Sequence, residues 1–108
     1  MEEPNLSYIK NIAEDDLDFE KILLMVLKEE FYEEQASYRN NFSDNNLKET
    51  SLIVHKLKHK IGLLGLEKSY ELATLFENQL KNSDTNLHES FIEILNKIHV
   101  FLSKIKIE

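Results

Sequence analysis

The sequence predicts an all-α protein: an antiparallel up-and-down four-helix bundle with one short additional helix at its N-terminal end. Three observations lead there. Helix breakers are scarce, with two glycines and one proline in 108 residues. Apolar residues recur at spacings of three and four rather than two, the period of a helix with one buried face. Clusters of Asn, Asp and Ser separate four long periodic stretches, and short connections between long helices favour antiparallel neighbours. The length suits one domain, residues 1–108.

Pro4 and Asn5 precede a short helix over Ser7–Ala13, with Tyr8, Ile9 and Ile12 as its apolar residues and Ser7 available as its cap. Asp15 and Asp16 offer a cap and negative charge to a second, long helix from about Leu17 to Asn40. Its expected inward set is Phe19, Ile22, Leu23, Val26, Leu27, Phe31 and Tyr38. The acidic cluster Glu29, Glu30, Glu33 and Glu34 reads as a solvated face, because one helix cannot converge oxygen ligands on a hard cation. A break over Asn40–Asp44 follows, with Ser43 or Asp44 capping the next helix.

The third helix covers about Asn45 to Leu64, and Gly65 ends it where a left-handed residue is wanted. Val54, Leu57, Ile61 and Leu64 form its buried stripe. The fourth helix runs from about Glu67 to Asn82 with Leu72, Ala73, Phe76 and Leu80 inward. Asn86 and Glu89 have the spacing of a capping box for the last helix. There Leu87, Phe91, Ile94, Ile98, Phe101 and Ile105 keep bundle spacing.

Composition narrows the function. The formal net charge is −7, with acid concentrated in residues 1–50 and lysines gathered around His55. Such a balance argues against nucleic acid as a partner. With no cysteine, disulfides and cysteine-bound zinc are excluded. No apolar run approaches the roughly 20 residues of a membrane span. The stretch MEEPNLSYIK lacks the basic and apolar regions of a secretory signal, so a cytoplasmic protein is expected.

The chemistry gathers on the third helix. His55 follows Val54 by one residue and so sits about 100° around the helix from the buried stripe. Lys58 and His59 lie three and four residues on, along the same face, and Gly62 extends that line without a side chain. His55 and His59 could share a metal ion by their spacing, but no third ligand is evident and Lys58 would repel a cation, so no metal is expected. His88 and His99 have no supporting constellation and are expected at the surface or core edge.

The segment HKLKHKIGLLGLE resembles the signature of histidine-containing phosphotransfer (HPt) domains, in which Leu, Lys and a Leu-Gly pair follow the histidine at +2, +3, +9 and +10. His55, Leu57, Lys58, Leu64 and Gly65 match, and the helical layout is similar over nearly the whole chain. The resemblance implies that His55 is the phospho-acceptor, that Lys58 stabilises the phosphoryl group, and that Glu77 on the fourth helix orients the imidazole. Ser51, His59 and Gly62 would form the rim and docking face. One position departs from the family pattern: His59 stands where glycine is usual. The implied function is phosphoryl transfer between aspartates of two receiver domains, one from a hybrid histidine kinase and one from a response regulator. No cofactor is expected in this chain, since magnesium would sit in the receiver, and a monomer with no membrane partner is the default. The alternative is a helical adaptor that binds receivers or other signalling proteins without carrying phosphate.

Overall fold

The computed structural model of the chain describes residues 2–106; the outermost positions of the expected 1–108 domain lie outside them. Five helices follow one another: α1 (Ser7–Ala13), α2 (Leu17–Ser43), α3 (Leu47–Leu63), α4 (Glu67–Lys81) and α5 (His88–Ser103). There is no strand among the described residues. α3 packs most extensively on α4 and next on α2; α5 touches both α4 and α2, and α1 lies on α2.

Local chemistry explains most boundaries. Asp16 caps α2, its Oδ1 accepting from Phe19 N at 3.0 Å. Ser7 does not cap α1 as expected; it is the first helical residue, and Asn5 Oδ1 accepts from its N–H at 3.0 Å. α2 runs straight through the expected break at Asn40. Phe42 remains helical because its ring stacks on His88, 3.6 Å between centroids and 4° from parallel, and on Tyr38. Packing here outweighs the turn preference of two asparagines. The turn falls later, with Asn45 in the left-handed region, and Asn46 rather than Ser43 or Asp44 caps α3. The capping box expected at Asn86 and Glu89 does not form. Asp84 organises that turn instead, accepting from Asn86 N at 2.9 Å, and α5 begins at His88 without a side-chain cap.

The core is built around Phe31, Tyr38, Val54, Leu57, Ile61, Phe76, Phe91 and Ile98, all sealed from solvent. The α3 stripe is buried in full, as its spacing predicts. Two faces differ from expectation. In α5 the deeply buried residues are Phe91, Leu95, Ile98 and Leu102, with Ile94 and Phe101 only half-buried, as is Ile105 beyond the end of the helix. The apolar face of α5 is broad, and packing selects one seam within it. In α2, Leu24 joins Leu27, Phe31 and Tyr38 in the core, whereas Phe19, Ile22 and Val26 are exposed. Length accounts for this. The 27 residues of α2 span about 40 Å and the 17 of α3 about 25 Å, so α3 stops short of the first turns of α2. α1 covers part of them through Ile9 and Ala13, with Tyr8 and Ile12 turned outward. The acidic face of α2 is partly tied down: Lys60 pairs with Glu34 at 3.0 Å and Glu30 at 3.4 Å.

An N-terminal arm staples the α3–α4 turn. Asn5 N donates to Leu64 O at 2.8 Å, and the Glu2 carboxylate caps α4 by accepting from Lys68 N and Ser69 N at 3.0 and 2.7 Å. Gly65 has φ +77°, and a Cβ there would lie 2.4 Å from Asn5 Nδ2. Gly65→Ala should therefore cost more than about 1 kcal/mol of unfolding free energy, read from the urea midpoint.

Tyr38 and His88 give the core edge a titratable element. The Tyr38 hydroxyl, whose pKa burial pushes up, donates to His88 Nδ1 at 2.6 Å. Burial lowers the His88 pKa from its ordinary 6.5, Glu89 opposing and Arg39 assisting. A depressed histidine pKa contributes stability that is complete above the unfolded value and is lost as pH falls through the folded one. Urea midpoints at about pH 7.5 and 5.5 should fall on acidification, and His88→Gln should flatten that fall.

Candidate functional site

Because Val54 and Leu57 are buried, the residue between their edges comes to the surface of α3. His55 is there, with its side chain 50% exposed. Across from it on α4, Glu77 is buried at the helix interface. Ser51, one turn before His55, is also buried, only 3% exposed, and its hydroxyl donates to the Glu77 backbone carbonyl at 3.1 Å. It therefore does not stand at an open rim as expected; it pins α4 to α3 at the height of the site.

The Glu77 carboxylate is shared. Oε1 lies 2.7 Å from His55 Nδ1, and Oε2 accepts from Lys58 Nζ at 3.0 Å. Burial alone would raise the Glu77 pKa, but the hydrogen bonds and charges of Lys58 and His55 outweigh it and hold the pKa below the usual carboxylate value. An ionised carboxylate only accepts, so His55 carries a proton on Nδ1, and in the neutral ring the lone pair is then on Nε2. Lys58 is buried too, with its ammonium turned to Glu77 and 5.7 Å from the centre of the Tyr70 ring. It is not an open cation beside the outward nitrogen.

That outward nitrogen has a neighbour. His59 Nε2 is 3.2 Å from His55 Nε2, and the two rings meet edge to face at 4.7 Å and 86°. With the lone pair on His55, His59 is the donor of this contact. Further along, Gly62 is not bare: Tyr70 lies against it, and a Cβ there would sit 3.1 Å from the Tyr70 ring. Tyr8, Ile12, His59, Gly62, Leu63 and Tyr70 line an apolar groove continuous with the histidine pair. Tyr70 was not anticipated in the site; its position two turns before Glu77 on the same helix face is the signal that could have found it. Lys56 is exposed near the site, whereas Lys60 is engaged with α2.

His88 and His99 lie elsewhere, against Phe42 and Tyr32 respectively. Among the described residues no group of three or more His, Cys, Asp or Glu could hold a metal ion, and no helix is long and apolar enough to cross a membrane. No protein-family model, no curated protein and no solved structure matches the chain.

The arrangement offers an imidazole whose neutral tautomer is set from behind. Its support is a buried ion pair, both members 11% exposed at the side chain. Glu77→Gln should cost about 3 kcal/mol by stranding the Lys58 charge. The double variant Lys58→Met/Glu77→Gln should cost less, with denaturant unfolding of all three chains as the measurement.

Proposed function

We propose that this protein is a histidine phosphotransfer carrier of a multistep phosphorelay, with His55 as the phospho-acceptor. The observation that carries the proposal is the half-exposed His55 ring held through Nδ1 by a buried carboxylate 2.7 Å away. His55 Nε2 attacks the phosphorus of a receiver's aspartyl phosphate, an N–P bond forms, and the acyl phosphate P–O bond breaks with the aspartate carboxylate leaving. The ring gains positive charge as it does so, and that charge faces Glu77 through the Nδ1 proton. Reversal onto a second receiver passes the group on. Lys58 acts by keeping Glu77 ionised and in place rather than by holding phosphoryl oxygens itself, since its ammonium is turned inward. Magnesium belongs to the receiver. His59 stands on the approach to Nε2, so it must turn aside before transfer, and its place on the exposed face of α3 leaves room for that.

The architecture we assign is the antiparallel up-down four-helix bundle of α2 to α5, with α1 as a cover on one end. Its support is the ring of contacts α2–α3–α4–α5–α2 and the short turns between successive helices. This reading makes the protein a monomeric cytoplasmic carrier between a hybrid kinase receiver and a response regulator, without nucleic acid or membrane partners. The second reading, an adaptor that binds receivers without carrying phosphate, is favoured by one observation: His59 closes the nucleophilic nitrogen.

The test is incubation with a radiolabelled phospho-receiver and, in parallel, with phosphoramidate. Wild type should take one acid-labile, base-stable phosphoryl group, and His55→Gln should take none. Equal labelling of His55→Gln removes the carrier reading. An unlabelled wild-type chain that still binds the receiver supports the adaptor.

A further inference from the structure

We infer that His55 and His59 together form a chelating site for a borderline divalent cation of the zinc type, closed on one side by the protein and open on the other. The separation of their Nε2 atoms is the first argument. They converge to 3.2 Å, with the ring planes at 86°. A tetrahedral ion bound at 2.0–2.1 Å holds two ligand nitrogens about 3.3 Å apart, so both nitrogens already stand near their ligating distance. Imidazole nitrogens suit zinc, copper and nickel rather than magnesium or calcium.

The second argument is the support behind the ring. A ligating histidine usually gives its other N–H to a carboxylate, which fixes the tautomer and strengthens the ligand. His55 makes that bond to Glu77, which is itself held by Lys58 and by Ser51. The Lys58 charge is answered by Glu77 and its ammonium is turned inward, so the outer side of the ring pair does not carry it. Glu67 and Glu71 are among the residues that line the groove with His59.

The third argument is access. Both rings reach solvent, and among the described residues no third His, Cys, Asp or Glu joins them. Two positions of the ion are thus left for water or for a donor from another molecule. To ligate through Nε2, His59 moves its proton to Nδ1. The hydrogen bond between the rings is exchanged for two metal–nitrogen bonds. The ion then occupies the atom that the carrier reading uses as nucleophile. On that reading cation and phosphoryl group exclude each other, although the site itself does not rest on it.

The experiment is titration of Zn2+ into the full chain in phosphate-free buffer, followed by imidazole 15N NMR and by competition with a chromophoric chelator. One equivalent should bind, moving the His55 and His59 signals together and leaving His88 and His99 in place. His59→Gln, a change on the exposed face, should abolish this uptake while circular dichroism stays unchanged. Glu77→Gln should weaken it about 10- to 100-fold. Absence of uptake, equal uptake by His59→Gln, or shifts confined to His88 and His99 would overturn the site. Zinc on His55 and His59 in a chain that accepts no phosphoryl group would keep the site and remove the carrier function. Labelling of His55 that saturating zinc suppresses would support both.

Discussion

One buried carboxylate organises this molecule's chemistry. Glu77 sits between α3 and α4 with an ammonium on one oxygen and an imidazole on the other. Its ionisation is not a passive consequence of pH. Burial works against the charge, and the two donors together overcome it. Take away Lys58 and the balance shifts toward a neutral acid, which would no longer demand a proton on His55 Nδ1. The position of the lone pair on His55 is therefore decided on the helix across from it.

That dependence explains why the histidine can be half-exposed and still well defined. A surface imidazole normally samples several rotamers and both tautomers. Here the anchoring bond is 2.7 Å long and its acceptor is fixed by two further contacts, from Lys58 and Ser51. The outward half of the ring has a softer partner in His59, on an exposed side chain. Rigid behind and adaptable in front is the arrangement expected of a nitrogen that must meet something from outside.

Periodicity made the helices and the α3 stripe legible, since Val54, Leu57, Ile61 and Leu64 had one face to occupy and Gly65 one conformation to adopt. The place of His55 followed from its one-residue offset. What the pattern did not carry was depth and distance along the chain. Ser51 lies on the same line as His55 yet is buried, because its short side chain is tucked against the α4 backbone at Glu77. Tyr70 covers Gly62 from another helix. Helix α2 extends beyond its expected end because Phe42 meets His88, 46 positions later. Its outer apolar residues Phe19, Ile22 and Val26 share the inward period yet stand exposed, since periodicity reports a face and not whether a neighbour is long enough to cover it.

The arm that caps α4 has a reach beyond its own neighbourhood. Glu2 and Asn5 grip the joint from which α4 departs, and α4 carries Glu77 about two and a half turns further on. A small rotation of that helix about its axis, started at the joint, would swing the carboxylate sideways under the histidine. Residues that never approach the imidazole thus help to set the azimuth of the helix from which its anchor projects.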